Sequence, residues 1–460
     1  MKASKRIGWR GLRLSSQALF LGLLLLPLAG IPWFAGTYVS SALVGIRLTD
    51  PYGAAQVLAA GGGLASGALV VLLTYLVLGR AFCAWVCPLG TVLEWVARLP
   101  HKRLVRGALP RSTRFLVALG LLGLSALLGI SLFEWISPQA TLMRSMLFGV
   151  GAEGLIIVAV LGFDLFVLRR GWCRSLCPAG AAYSVLGRFA LLRVGHDRKA
   201  CNRCGECIKA CPMNGKDTLL ETVSGHGVAS ADPWTCANCG LCVDACERGA
   251  LAFRPAWALA QPAGEAQAGT NLDRRQAVVL FGGALAVATL SATRPLLAAP
   301  EERPLLRPPG ALPEAAFLGL CLRCGQCAQA CPREAIQLGH LAHGLSLGTP
   351  YIAARERACD LCLSDGGPRC VDACPTGALT LVPEAPVRMG TAVIDTDQCL
   401  AYHGDLCRTC FVACPLQGTA LFLAGALRPT VDPAVCTGCG LCEEHCILEP
   451  SAITVRPTNG

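Results

Sequence analysis

Every one of the 28 cysteines in this 460-residue chain falls within a short repeated motif, and no other feature limits the possible folds so tightly. Six groups of four share one spacing or a stretched form of it. Cys201, Cys204, Cys207 and Cys211 lie in CNRCGECIKACP, and Cys236, Cys239, Cys242 and Cys246 in CANCGLCVDACE. Further on, Cys321, Cys324, Cys327 and Cys331 lie in CLRCGQCAQACP, and Cys359, Cys362, Cys370 and Cys374 in CDLCLSDGGPRCVDACP. Cys399, Cys407, Cys410 and Cys414 follow in CLAYHGDLCRTCFVACP, then Cys436, Cys439, Cys442 and Cys446 in CTGCGLCEEHC.

This spacing has a physical reason. C-x2-C-x2-C turns three thiolates onto one corner set of a 4Fe-4S cubane, and in two-cluster ferredoxins the fourth cysteine ligates the partner cluster. Motifs therefore work in pairs. The first pair predicts one cluster on Cys201, Cys204, Cys207 and Cys246, and another on Cys236, Cys239, Cys242 and Cys211. For the last four motifs, sequential and nested pairing both stay open. Zinc favours two separated C-x2-C pairs, and disulfide frameworks belong to small secreted domains. Six 4Fe-4S clusters, with iron held through these cysteines, are the expectation. Glu247 and Ile447 stand where a proline usually follows the fourth cysteine, which removes a preferred first-turn residue and no ligand.

The rest of the chain is too apolar for a soluble enzyme. It is 53% hydrophobic, and only 15% is charged, against about 25% in ordinary globular domains. Four stretches are long and apolar enough to cross a bilayer, which needs roughly 20 residues each: Ala18–Val39, Val57–Leu78, Phe115–Phe133 and Gly149–Leu168. Seven Lys/Arg lie from Arg80 to Arg114 and seven from Arg169 to Lys199, whereas the two other loops offer only Arg47 and Arg144. Basic loops stay cytoplasmic, so the chain start and the exit of the fourth span are expected there. The net charge of +10 is largely this signal, and no nucleic-acid partner is expected.

Four cysteines remain. Cys83 and Cys87 lie in RAFCAWVCPLG after the second span, and Cys173 and Cys177 in RGWCRSLCPAG after the fourth. Arg80, Pro88, Gly90 and Arg98 recur as Arg170, Pro178, Gly180 and Arg188, so the membrane part is a duplicated unit of two spans plus C-x3-C-P. Cysteines at i and i+4 share one face of a helix. The two pairs are a four-thiolate metal or cluster site, redox-active dithiols, or packing residues. Each reading places them beside the headgroups, within reach of a quinone. None of the seven histidines lies in a span, so no membrane haem is expected. Asp164 in the fourth span is either a proton acceptor or an interface carboxylate paired with Arg169 or Arg170.

Residues 273–292 read DRRQAVVLFGGALAVATLSA, an export signal in the middle of a chain. A domain that takes up iron in the cytoplasm must cross the membrane folded, the route marked by twin arginines, here Arg274 and Arg275. The apolar run Ala277–Ala292 is short for a span, at about 24 Å of helix. A plain fifth span or an interfacial helix is the alternative. Either main version puts the residues after Arg294 in the periplasm.

The expected fold is an α-helical membrane domain of four spans, plus a signal or anchor helix, with α+β ferredoxin domains of bacterial type. By residue it comprises a cytoplasmic tail (1–17), membrane domain (18–190), two-cluster ferredoxin (191–253) and linker (254–270). Then come the signal or fifth helix (271–299), a proline-rich tether (300–316) and a four-cluster ferredoxin (317–460).

Residues 1–250 resemble the NapH component of periplasmic nitrate reductase systems, in their four spans, paired C-x3-C-P motifs and two-cluster ferredoxin. Residues 271–450 resemble the NapG component, with its twin-arginine signal and four motifs, and MauN and MauM of methylamine utilisation share these patterns. The fusion of the two is a departure. The resemblance implies an inner-membrane quinol dehydrogenase with its first ferredoxin cytoplasmic, its last periplasmic, and a periplasmic redox protein or reductase as acceptor. The cluster cysteines and Cys83, Cys87, Cys173 and Cys177 carry over. The related NosR adds a flavin domain ahead of its spans that has no room here, so neither haem nor covalent flavin is expected. The other function class is an assembly factor that keeps a periplasmic metalloenzyme reduced during its biogenesis.

Overall fold

The structure, a computed structural model, describes residues 8–96, 112–213, 219, 228–259 and 305–458, apart from 32, 64, 66, 150, 152, 169, 382–386 and 426. The twin arginines and the run 277–292 fall outside these residues.

Helix α1 (Trp9–Leu25) continues as a 3-10 turn, Leu26–Ala29, and stops at Gly30 in the left-handed region. It starts nine residues before the expected span, and that span's last residues are not helical. They enter an antiparallel meander of β1 (Phe34–Gly36), β2 (Ser40–Leu43) and β3 (Ile46–Thr49). The second expected span divides into α2 (Pro51–Ala59) and α3 (Gly67–Leu78). Three consecutive glycines, Gly61 to Gly63, separate them, each costing about 1 kcal/mol in a helix interior. Then come α4 (Phe82–Trp85), α5 (Pro88–Val96) and α6 (Thr113–Leu128). Helix α6 ends five residues short of Phe133, because Gly129 turns left-handed and caps it. Helices α7 (Phe133–Ile136) and α8 (Pro138–Phe148) precede α9 (Gly154–Gly162). A π-helical turn Phe163–Val167 extends α9, a second one spans Trp172–Leu176, and α10 (Pro178–Gly187) follows. Among the described residues, Trp9–Ala29 alone is long and apolar enough to cross a membrane; Gly67–Leu78, Thr113–Leu128 and Gly154–Val167 are apolar but shorter. Their outward side chains are apolar too, with Leu19, Leu69, Leu73, Leu116, Leu155 and Val158 all more than half exposed.

The first ferredoxin unit is a three-stranded antiparallel sheet with β4 (Leu192–Asp197) between β5 (Val228–Ser230) and β6 (Leu251–Pro255). Strand β6 carries this domain past the expected boundary at 253, since Pro255 still pairs with Leu192. The C-terminal unit holds three antiparallel pairs. These are β7 (Ile336–Leu338) with β8 (Pro350–Ile352), β9 (Gly390–Ile394) with β12 (Ile453–Pro457), and β10 (Leu421–Ala424) with β11 (Arg428–Val431). The expected tether is not free chain throughout. Leu306 and Arg307 are buried, and the Arg307 guanidinium donates to Thr349 Oγ1 and the Pro350 carbonyl at 2.8 Å and to Ser346 Oγ at 2.9 Å. A fully buried guanidinium needs such partners, and they clamp residue 307 to the domain ahead.

The two units sit at opposite ends of the helices. At one end, Asp244 accepts from the Trp9 and Arg10 amides that open α1, Asn238 Nδ2 donates to the Leu78 carbonyl that closes α3, and Arg114 donates to the Trp234 carbonyl. At the other, Arg47 donates to the Asp372 carbonyl, Gln326 to Ser40 Oγ, and Arg323 to the Ser131 carbonyl just beyond α6. Ile130 and Leu132 share one core with Phe317, Leu318 and the cysteines Cys321 and Cys327.

Candidate functional site

The cysteine loops repeat one backbone device. Gly205, Gly240, Gly325 and Gly440, each directly after the second cysteine, have φ between 73° and 89°. Only glycine takes that conformation freely, and it turns the chain into the short helix that carries the third cysteine. Arg203 and Leu361 lie one step earlier at positive φ, and their amides donate to Cys201 Sγ and Cys359 Sγ at 3.3 Å. In the stretched motif after Cys359, Cys362 itself is left-handed and takes over the turn.

The structure gathers the cysteines in fours. Cys246 acts on Cys207 together with Cys201 and Cys204, and Cys211, Cys236, Cys239 and Cys242 line one cavity. That is the pairing the spacing implies. The order left open among the last four motifs is sequential. Cys374 joins Cys321, Cys324 and Cys327, while Cys331 joins Cys359, Cys362 and Cys370. Cys446 lines a cavity with Cys399, Cys407 and Cys410, and Cys414 one with Cys436, Cys439 and Cys442. Burial, then neighbouring thiols, pushes Cys370 up to about 12 and Cys410 to about 11. Four such thiols ionise together only around a compensating cationic centre, so the donor set fits an iron–sulfur cluster.

The groups are also ordered in space. Cys321, Cys324 and Cys327 abut the helical domain: Cys321 and Cys327 share the core of Ile130 and Leu132, and neighbouring Leu322 packs on Val39 and Val57. The Cys359 amide donates to the Cys439 carbonyl at 3.0 Å, so the second group of this unit touches the last motif. At the opposite end Cys239 and Cys211 pack on Ala84 and Trp85, between Cys83 and Cys87.

Those four remaining cysteines come together. Cys83 and Cys177 belong to one apolar cluster, and Cys87 packs beside Cys173 in another. They do not share helix faces as i, i+4 spacing predicts. Cys83 lies in the one-turn α4 and Cys173 in a π turn, while Cys87 and Cys177 precede the prolines that open α5 and α10. A residue before proline is pushed out of the helical region, and Cys177 has ψ 112°. Its sulfur instead accepts from the Gly180 amide at 3.3 Å and from Gln139 Nε2 at 3.6 Å. Arg80 is almost fully buried here and donates to the Cys173 carbonyl at 3.0 Å, with Nε and Nη1 unpartnered among the described residues. An unpartnered buried cation beside four thiols fits an anionic sulfur-held group. No His, Cys, Asp or Glu cluster among the described residues is tight enough for a single ion.

Asp164 also meets a backbone partner, and Arg169, one of its two expected partners, lies outside the described residues. Asp164 Oδ1 accepts from the Trp172 amide at 3.0 Å, and Arg170 pairs with Glu94 at 3.4 Å, beside Arg13. Two carboxyls escaped the sequence reading. Asp50 N-caps α2, and Glu134 is wholly buried, with neither oxygen hydrogen-bonded among the described residues. Burial first, then Asp50, raises Glu134 to about 8 against the pull of Arg144 and Arg323. The dipeptides Asp50–Pro51 and Ser137–Pro138, a capped proline repeated between the two crossings of each half, were the available signal.

Comparison with known proteins matches this architecture. The 4Fe-4S binding domain family matches residues 51–107 and 150–196, which contain both C-x3-C-P motifs. A 4Fe-4S dicluster domain matches 193–247, and a further 4Fe-4S binding domain matches 318–337. The ferredoxin-type protein NapH of Escherichia coli is 37% identical over 245 residues, 50% of this chain and 84% of that protein. The methylamine utilization ferredoxin-type protein MauN of Methylorubrum extorquens is 38% identical over 44% of this chain and 74% of its own length. The ferredoxin-type protein NapG of E. coli is 44% identical over 33% of this chain and 70% of its own length. No solved structure matches the chain.

Proposed function

Since this chain belongs to the ferredoxin-type iron–sulfur proteins of the NapH, NapG, MauN and MauM kind, joining a NapH-like part to a NapG-like part, we propose that it takes electrons from a membrane quinol and delivers them to a periplasmic redox protein. One observation carries this reading: ferredoxin units seat on opposite ends of one helical domain, with four further cysteines gathered inside it. The six cysteine groups each hold a 4Fe-4S cluster, which supplies one-electron transfer when bound. Helices α1, α3, α6 and α9 are the four crossings, in a bilayer that covers their exposed Leu and Val side chains. The basic loops place the first ferredoxin in the cytoplasm, and the twin-arginine segment sends the C-terminal unit to the periplasm.

Docking of the C-terminal unit rests on this chain's own side chains. Arg323, between Cys321 and Cys324, donates to the Leu347 and Ser131 carbonyls at 2.9 Å and the Leu345 carbonyl at 3.2 Å. It holds one cysteine group against the end of the helical domain. The test is anaerobic reduction of the purified full chain by menadiol, followed at the iron–sulfur absorbance. Rapid bleaching, with at least about 24 iron per chain for six four-iron groups, is expected. Iron at half that level, or no bleaching by menadiol where dithionite succeeds, overturns the reading and leaves the assembly-factor role. A reporter after Gly460 that is active only as a cytoplasmic enzyme overturns the topology.

A further inference from the structure

Beside the four-cysteine site lies a cavity of about 580 Å³, within the roughly 300–1,000 Å³ of small-molecule sites. Its walls come from α1, the β1–β3 meander, α3, α4 and the edge of the first ferredoxin unit. One part is apolar, lined by Phe20, Leu23, Leu24, Leu43 and Val71. Phe20 and Leu78 at this wall are themselves exposed apolar side chains.

The polar part is concentrated. Tyr38, Ser41, Thr49, Asp50 and Tyr75 line it together. Tyr38 and Tyr75 flank Phe82, with ring centres 5.9 and 6.4 Å away, and Tyr183 stands 5.6 Å from the same ring. Tyr38, Tyr75 and Phe82 of this packed group present aromatic surface to the cavity. Phe82 is the residue before Cys83.

Asp50 has spare acceptor capacity toward this space. A carboxylate oxygen has two lone pairs. Oδ2 accepts from the Tyr52 and Gly53 amides at 3.0 Å, whereas Oδ1 accepts only from the Tyr183 hydroxyl among the described residues. An apolar wall, an aromatic surface and one carboxylate acceptor together describe a host for an amphiphile with a flat hydroxylated head. Deepening the quinol reading above, on which it rests, we propose that this cavity binds the quinol, tail along Phe20, Leu24 and Val71, with Asp50 accepting a hydrogen bond from a ring hydroxyl.

The test uses the full chain in nanodiscs, with decylubiquinol and its oxidised form decylubiquinone as probes. Binding is read by quenching of Trp9 and Trp85, both in the cavity wall. Asp50→Asn keeps the helix cap, because asparagine caps as well as aspartate. It should weaken decylubiquinol about tenfold or more, as expected for loss of a charged acceptor, and leave decylubiquinone within about threefold. Asp50→Glu should recover part of the loss. The double variant Val71→Phe and Leu48→Phe should weaken both forms. Unchanged decylubiquinol affinity in Asp50→Asn removes the assigned acceptor. Unchanged affinity in the filled variant, or displacement by a ring-free alkyl lipid, removes the site. If the wild type binds decylubiquinol but its clusters are never reduced, the electron-transfer reading falls while the site stands. Reduction without quenching has the opposite meaning.

Discussion

The two halves of the helical domain share a plan and use it differently. In each, a capped proline, Asp50–Pro51 or Ser137–Pro138, lies between the two crossings, and each ends in C-x3-C-P. Asp50 is a charged cap facing the cavity; Ser137 is a neutral cap that bonds Tyr38 at 2.8 Å. The repeated arginines diverge further. Arg80 crosses to the second half and donates to the Cys173 carbonyl, while Arg170 crosses to the first and pairs with Glu94 beside Arg13. The glycines follow suit. A Cβ on Gly180 would come within 2.8 Å of Arg80 Nη2, whereas one on Gly90 would meet the Cys83 carbonyl at 2.8 Å. Duplication supplies two similar cysteine pairs. Arginines that cross in both directions, to different partners, tie the two pairs together.

The sharpest break of this comparison is at the cysteines themselves. If the halves build one centre, Cys87→Ser and Cys177→Ser should be equally damaging, each lowering menadiol-driven reduction by about 100-fold or more, the lower range for losing an essential group. Iron analysis should show the six other groups intact. Activity retained in one variant and lost in the other would separate the pairs.

The arginines should differ where the cysteines agree. Arg80→Ala removes a buried cation and leaves the Cys173 carbonyl without its donor, a loss of about 2–4 kcal/mol in unfolding free energy. Arg170→Ala leaves Glu94 its partner Arg13 and should cost less than Arg80→Ala. Equal losses in denaturant titrations would mean that the arginines have not diverged.

Glu134, just ahead of the second cap, predicts a pH dependence. Its folded value near 8 lies above the ordinary 4.5, so the folded state binds the proton more tightly than the unfolded chain. This contribution is fully present below about pH 4.5 and is lost as pH rises toward 8, by up to about 1.4 kcal/mol per unit. Glu134→Gln should flatten the stability profile between those values. A steeper profile in the variant would contradict the assignment. The smallest effect is expected at the neutral cap: Ser137→Ala should lower stability by about 0.5–1 kcal/mol and leave decylubiquinol binding unchanged. A tenfold loss of binding there would make the two caps functionally alike.

Much of this was legible in the sequence. The cysteine groups and the duplicated C-x3-C-P follow from local spacing, which acts over a few residues. The helix limits were less legible. Hydropathy runs continuously through Gly61–Gly63 and past Gly129, but backbone conformation does not. Asp164 shows the same gap. Besides the arginines near it in the chain, a π turn brings the Trp172 amide to its Oδ1.

Sequence alone determined which residues can hold iron and which segments are apolar, because ligand chemistry and transfer from water depend on residue type and short-range order. Tertiary structure decided the rest. It set the sequential pairing of the last four motifs and the seating of each ferredoxin unit at its own end of the helices. It also brought Asp50, Tyr38, Tyr75 and Phe82, up to 44 residues apart in the chain, around one cavity. These outcomes depend on which surfaces exclude water from one another, and a contact such as Arg323 to Ser131, 192 residues away, leaves no local mark in either segment.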